Sequence, residues 1–346
     1  MLSIIKNNLH LHKIFFLKKL LIIQTAFLGD VILSTSVIEK IHNNLPDSLM
    51  DLVIRKGAED LFINHPYINK LFVWDKKNNK YKNFLLVLTA IRKEEYDYVI
   101  NLHRFFSSGL LSILSKSKET IGFDKNPLSF LFSKRIKHKI FEKENPLHEI
   151  ERNDKLLYFI DSKSVSKPKL YPQEEDEFFV KEITNQSKYY CIAPSSVWFT
   201  KQLPIDKWVE ICNFYNNHYM YIIGTKNDYN YCEEIKKLSN NLKIINLAGK
   251  LSLLQTVVLL KNAIMNYTND SAPLHLCSAI DAKITAFFCS TIPEFGFTPV
   301  SSDSHIAQIE YNLKCRPCGL HGKKKCPEKH FKCANDIKLK NYLLKN

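Results

Sequence analysis

The sequence predicts an α/β protein of two Rossmann-like halves, each a parallel sheet covered by helices on both faces. Three observations carry that expectation. Short apolar runs alternate with amphipathic stretches along most of the 346 residues, as successive βαβ units require. The short runs are apolar throughout rather than alternating, as strands buried on both faces must be. The pattern breaks once, between residues 161 and 188, and then starts again, which together with the length makes two domains the natural expectation.

Residues 1–18 read as a basic N-terminal extension. The first domain, 19–165, has expected strands at Lys19–Gln24, Met50–Ile54, Lys70–Trp74, Tyr98–Asn101 and Thr120–Gly122. Helices are expected between them at Val31–Asn43, Ala58–Asn64, Tyr81–Lys93 and Phe105–Ser115. A linker is placed at 166–188, where Pro168 and Pro172 break regular structure; its acidic run Glu174–Glu177 also suits the start of a surface helix. The second domain, 189–334, repeats the alternation with strands at Tyr189–Ala193, Tyr219–Ile223, Lys243–Asn246, Ala263–Tyr267 and Lys283–Phe288. Its helices are expected at Ile205–Asn216, Asp228–Leu238, Ser252–Lys261 and Pro273–Ile280, and residues 335–346 read as a basic C-terminal helix.

Composition narrows the class. Hydrophobic residues make up 45% and charged residues 24%, as in an ordinary globular protein. The net charge of +14 suits a phosphorylated substrate, an anionic membrane face or nucleic acid. No aromatic-basic motif of a nucleic-acid-binding fold accompanies it, so no nucleic-acid partner is expected. Much of the excess is terminal: residues 311–346 hold ten Lys/Arg against Glu328 and Asp336, and residues 1–20 hold Lys6, Lys13, Lys18 and Lys19 with no acid. No 18-residue apolar run exists, and Lys18-Lys19 interrupts the apolar stretch Ile14–Ile23, so neither a membrane span nor a signal peptide is expected. Nine cysteines, an odd number, then argue for a reducing cytoplasm.

Candidate chemistry lies where strands pass into helices. After the strand-like run 263–267 comes Thr268-Asn269-Asp270-Ser271-Ala272-Pro273-Leu274-His275, an acid, a hydroxyl, a helix-starting proline and a histidine. The C-terminal edge of an open α/β sheet is where ligands bind, and a helix N-terminus offers N–H groups to a diphosphate; an N-cap beside a buried histidine is the plainer alternative. Ala193–Pro204 offers Ser195, Ser196 and Thr200 hydroxyls with the Lys201 charge, either a phosphate cradle or a polar loop. Asp228, at another such turn, would meet a ribose hydroxyl or cap its helix. Gly29-Asp30 follows the first strand: Asp30 is a candidate general base or only an N-cap, and a helix N-terminus should lower its pKa. His103-Arg104, after the fourth strand, lies at the same sheet edge. The spacing Cys315-x2-Cys318-x7-Cys326-x6-Cys333 is a candidate tetrahedral zinc site, with reduced structural thiols as the alternative. No G-x-G-x-x-G, G-x-S-x-G, H-E-x-x-H or P-loop occurs, which argues against a dinucleotide dehydrogenase, a serine hydrolase, a zinc protease and a P-loop NTPase.

Together these segments resemble the lipopolysaccharide heptosyltransferases of glycosyltransferase family 9. Gln24–Asp30, Ala193–Lys201, Asn269–His275, Ile292–Pro299 and the cysteine-rich tail carry the resemblance, in the family's order, over roughly residues 19–335. It departs at Ala272 and Ser195, where the family commonly has glycine, and the N-terminal extension lies outside it. The resemblance implies a GT-B architecture, two Rossmann-like domains facing a cleft. It implies an inverting transfer of heptose from ADP-heptose to a lipopolysaccharide core acceptor, with Asp30 as general base and no cofactor beyond the sugar-nucleotide substrate. Ser195, Ser196, Thr200, Lys201, Ser271 and Ala272 would hold the diphosphate; Asp228, Asp270 and His275 the nucleotide and sugar. Gly29, His103 and Arg104 would lie on the acceptor side. A monomer attached peripherally to the cytoplasmic face of the inner membrane, where the lipid-linked saccharide sits, is the expected setting. The rival expectations are a GT-B enzyme with another nucleotide-sugar, an inactive homologue, and a non-catalytic basic binding protein.

Overall fold

The computed structural model describes residues 18–141, 144–185 and 187–343. Two six-stranded sheets form, and every strand pairing in them is parallel. The first uses β1 (Lys19–Gln24), β2 (Leu49–Arg55), β3 (Ile68–Trp74), β4 (Tyr98–Asn101), β5 (Glu119–Phe123) and β6 (Lys134–Ile136), in the order β3-β2-β1-β4-β5-β6. The second uses β7 (Tyr189–Ala193), β8 (Tyr219–Ile222), β9 (Ile244–Asn246), β10 (Asn266–Asn269), β11 (Ile284–Phe287) and β12 (Ser304–Ala307), in the order β12-β11-β10-β7-β8-β9. The strand order reverses between β1 and β4 in one sheet and between β7 and β10 in the other. Crevices open at such reversals, beyond the C-terminal strand ends.

The helices are α1 (Leu28–Asn44), α2 (Lys80–Arg92), α3 (Phe106–Leu114), α4 (Glu149–Asp154), α5 (Glu174–Thr184), α6 (Ile205–Phe214), α7 (Tyr229–Leu238), α8 (Leu253–Asn262), α9 (Ala272–Ala279) and α10 (Lys332–Asn335). Leu20 to Ile23 are buried to the last atom, so the apolar run of β1 is what a strand covered on both faces needs. One apolar cluster runs from Leu20 and Ile54 through Leu156 to Val257 and Phe288, joining the two halves without a gap. α1 packs on α9 across the boundary. The crossing segment is tied to α1 as well: the Lys169 N–H donates to Thr35 Oγ1 and Tyr171 donates to Glu39.

Several elements differ from the expectation. The helix expected at Ala58–Asn64 is a single 3-10 turn, Glu59–Phe62. Within the expected linker the acidic run starts a helix, α5, the second of its two readings, with Glu174 to Glu177 in the first turn. The strand expected at Ala263–Tyr267 lies at 266–269, because Ala263 closes α8 and the strand continues into buried polar residues, Thr268 and Asn269. The basic helix expected over 335–346 is absent among its described residues. α10 ends at Asn335, one 3-10 turn covers Leu339–Asn341, and Ile337, Leu339 and Leu343 are drawn into the second core, a spacing no single helix face could satisfy. Among the described residues, no helix is long and apolar enough to cross a membrane.

Candidate active site

The C-terminal ends of the first sheet converge on a cavity of about 920 Å³. Arg55 ends β2, Lys76 follows β3, His103 and Arg104 follow β4, and Lys125 follows β5. With Lys139, these cations and the histidines His103, His138 and His321 face two carboxylates among the described residues, Asp30 and Glu149. The wall is internally wired. Lys76 Nζ donates to Thr25 Oγ1 at 2.9 Å and to the Thr25 carbonyl at 3.0 Å. The Thr25 hydroxyl, accepting from Lys76, can donate to His103 Nδ1 at 2.9 Å. Burial and the neighbouring cations Lys76, Arg104 and Arg55 hold the His103 pKa down to about 3. His103 is therefore neutral, and with Nδ1 accepting, its proton sits on Nε2. Burial, with Arg55 and Lys80 nearby, also lowers Lys76 to about 8.

Asp30 is the third residue of α1 and not its N-cap, which is Phe27. Its carboxylate accepts the Phe27 N–H, as the acid of a capping box does, and its own N–H. Those contacts and Arg104 pull its pKa down, as the sequence led one to expect. Burial dominates, and the negative charge of Glu149 adds to it, so the pKa stands at about 7. The expected lowering is thus reversed: desolvation outweighs the helix end. An aspartate poised near neutrality suits a general base better than an ordinary one.

Glu149, missed in the sequence, opens α4 and is fully packed. Burial pushes its pKa up, but His138 and the Arg152 guanidinium outweigh that and leave it below the ordinary value. Arg152 Nε donates to Glu149 Oε2 at 2.7 Å. The same short helix grips the second domain: the Glu149 N–H donates to the Gly296 carbonyl, and Arg152 Nη2 to the Phe295 carbonyl, both at 2.8 Å. Gly296 has φ of +79°, and a Cβ there would collide with the Leu147 carbonyl.

Across the boundary, the β7 and β10 ends meet. Asn269 Nδ2 donates to the Pro194 carbonyl at 2.7 Å while its Oδ1 accepts the Leu203 N–H at 2.9 Å, clasping the 194–203 loop. Lys201 Nζ lies 2.7 Å from Asp270 Oδ2, which also accepts from Thr291 Oγ1 at 2.6 Å. Ser271 stands at the N-cap of α9 but its side chain caps nothing, Pro273 has no N–H, and Leu274 bonds back to the Ser271 carbonyl at 3.0 Å. Ser195, Ser196, Ser271 and Ala272 are half-buried beside one another's strand ends. His275 is buried against Gly29 of the first domain. Asp228 accepts from the Thr225 N–H and hydroxyl at 2.7 and 2.6 Å, closing a local capping box. None of these second-domain residues lines the large cavity.

The cysteine-rich segment folds over this wall. Thr200 is buried, its hydroxyl accepting from the Lys323 N–H at 2.7 Å and from Ser290 at 2.9 Å. Its hydroxyl oxygen therefore anchors the tail. Gly322 lies so close to Thr200 and Lys201 that a Cβ would stand 3.0 Å from Thr200 Oγ1 and 3.1 Å from Lys201 Cγ. Leu320 and His321 then reach the large cavity. Cys315, Cys318, Cys326 and Cys333 border a smaller cavity of about 420 Å³, all as free thiols. Cys315 Sγ lies 3.8 Å from His330 Nε2, Cys318 donates to the Cys315 carbonyl, and Cys333 is buried in the second core. Among the described residues no three His, Cys, Asp or Glu side chains converge as metal ligands would, so the spacing argument for zinc gains no geometric support.

The family model described as glycosyltransferase family 9 (heptosyltransferase) matches residues 86–331. The chain belongs to glycosyltransferase family 9. It is 27% identical over 293 residues to lipopolysaccharide heptosyltransferase 1 of Campylobacter coli, covering 79% of this chain and 84% of that one. It is 25% identical over 332 residues to lipooligosaccharide heptosyltransferase 2 of a Campylobacter jejuni serotype O:2 strain, covering 92% and 94%. Among solved structures, the E. coli ADP-heptose LPS heptosyltransferase II superposes with a TM-score of 0.74 at 18% identity, covering 92% of this chain and 98% of that one. The fold is thus GT-B, as the resemblance implied, and the protein is a glycosyltransferase.

In this family 9 chain one rule, that ligands meet the C-terminal ends of strands, also locates the first domain's cations. Arg55, Lys76 and Lys125 sit at or just beyond the C-terminal ends of β2, β3 and β5, as His103 and Arg104 do after β4. Glu149 had a fainter signal: His148 and Glu151 form a capping box, with His148 Nδ1 accepting the Ile150 N–H at 3.2 Å and Glu151 accepting the His148 N–H at 2.6 Å.

Proposed function

We propose that this enzyme transfers a heptose from ADP-heptose to a lipopolysaccharide core acceptor with inversion at the anomeric carbon. The observation that carries the proposal is Asp30, an aspartate poised near neutrality on the wall of a large cationic cavity, on a helix packed against the α9 end where a diphosphate would bind. An acceptor hydroxyl attacks the anomeric carbon as the bond to the diphosphate oxygen breaks, its proton passes to Asp30, and ADP departs. The α9 N–H groups and Lys201 would stabilise the charge growing on the diphosphate. Lys201 is already paired with Asp270, so in that role it turns toward the phosphates or shares its protons between them. The cations around the cavity suit an acceptor bearing carboxylates or phosphates, and a lipid-linked acceptor places the enzyme on the cytoplasmic face of the inner membrane. The heptose is supported by the two Campylobacter heptosyltransferases, and the ADP donor by the E. coli ADP-heptose LPS heptosyltransferase II.

The test is donor binding by calorimetry, ADP-heptose against UDP- and GDP-sugars, followed by transfer assays with wild type and Asp30→Asn. Binding of ADP-heptose alone, with turnover lost in Asp30→Asn and binding kept, is the expected result. Preference for a UDP- or GDP-sugar would overturn the donor, and turnover in Asp30→Asn would overturn the base.

A further inference from the structure

We infer that the outer face of α2, together with the phenylalanines at the cavity mouth, is a docking surface for an anionic lipid bilayer. The inference deepens the membrane setting proposed above and rests on it. A surface helix normally turns its polar side outward. α2 does seat Val87, Leu88 and Ile91 inward, yet its outward positions Tyr81, Leu85 and Leu86 are 80%, 60% and 59% exposed. Two large apolar side chains and a tyrosine on one open helix face need a partner.

Charge says what the partner is. Between Asp75 and Glu94, and leaving aside Lys76 in the cavity wall, the chain carries Lys77, Lys80, Lys82, Arg92 and Lys93 and not one carboxylate. A helix with leucines and a tyrosine to the outside and Lys/Arg flanking them is the composition that lies in a bilayer interface, its apolar side chains among the acyl chains and its cations at anionic headgroups. A second copy of this chain docking through the same face would set like charges against each other.

Geometry links this face to the reaction. α2 packs on α3, which begins at Phe106, and Phe105 just before it is 64% exposed while lining the cavity. Phe141 is likewise exposed and on the cavity wall. An enzyme lying on α2 therefore presents the cavity mouth at the membrane surface, where a lipid-linked saccharide can enter with its acyl chains still in the bilayer.

The experiment is vesicle co-sedimentation of the full chain, with phosphatidylcholine vesicles carrying or lacking phosphatidylglycerol, for wild type, Leu85→Glu/Leu86→Glu and Lys82→Glu/Lys93→Glu. Partition onto the anionic vesicles should fall by about tenfold or more in either variant, because each removes insertion or headgroup attraction. Transfer to a delipidated, soluble acceptor should stay at the wild-type level, which also shows that the variants fold. Wild-type partition in both variants would overturn the face while leaving membrane attachment intact. No binding of the wild type to anionic vesicles would overturn both, with soluble-acceptor turnover still reporting separately on sugar transfer. Loss of a dimer in the leucine variant, seen by light scattering, would assign the face to a second copy and overturn the bilayer.

Discussion

Gly29 and His275 touch across the two domains: a Cβ on Gly29 would stand 2.8 Å from His275 Cδ2. His275 is buried, burial holds its pKa down to about 3, and its Nδ1 has no partner, so a neutral ring is wedged against α1 one residue before Asp30. The second domain thereby sets where the first domain's carboxylate stands. Gly29→Ala should force α1 and α9 apart. We expect a stability loss of about 1–3 kcal/mol, the usual cost of overpacking, and a fall in kcat larger than any loss of donor affinity. Thermal unfolding and steady-state kinetics check it; an unchanged Tm with unchanged kcat would refute the contact's role.

The Lys201–Asp270 pair is the second case. Both side chains are largely buried, so removing one leaves a charge in a poor solvent. Lys201→Ala should destabilise the fold by about 3–5 kcal/mol, as broken buried pairs do. The double variant Lys201→Ala/Asp270→Asn should recover part of that loss, because no unpaired charge remains. ADP affinity should fall in both. A denaturant-unfolding cycle with ADP calorimetry gives the answer, and strict additivity of the two substitutions would show that the pair is not coupled.

Thr200 tests whether the cysteine-rich segment belongs to the active-site wall. Thr200→Val keeps the shape but strands the Lys323 N–H and the Ser290 hydroxyl, at a cost of about 1–3 kcal/mol for buried unpaired groups. Protease cleavage within 314–331 should speed up while the rest of the chain resists. Cleavage rates equal to wild type would mean the segment is held elsewhere.

Much of this was legible in the sequence because strands buried on both faces must be apolar, and most of the central ones are. β1, β4 and β7 lie where their apolar runs put them. The edge strands β6 and β12 were missed because Lys134-Arg135 and Ser304-His305 are the polar residues an exposed edge tolerates. Asp30 could be found from its place after β1, but its raised pKa could not. That depends first on burial at the domain boundary, and then on Glu149, 119 residues away in the chain and brought in by α4. Likewise the hold of the Thr200 hydroxyl on the Lys323 N–H joins residues 123 apart in the chain, and no local pattern announces it.

The pH profile separates these contributions. A base must be ionised, so with the Asp30 pKa at about 7, kcat/KM should climb with pH below neutrality and level off above it. Glu149→Gln removes a like charge and leaves Arg152 uncompensated, and both changes favour the Asp30 anion, so the rising limb should move to lower pH. Stability should show the opposite face of the same shift. A carboxylate whose folded pKa is raised contributes stability that is present below its unfolded value of 3.8 and lost as pH rises through about 7. Asp30→Asn, which carries no charge to desolvate, should therefore raise Tm more at pH 8 than at pH 5 while abolishing transfer. A rising limb that stays in place in Glu149→Gln would remove Glu149 as a cause of the shift, and a Tm gain in Asp30→Asn independent of pH would remove the raised pKa itself.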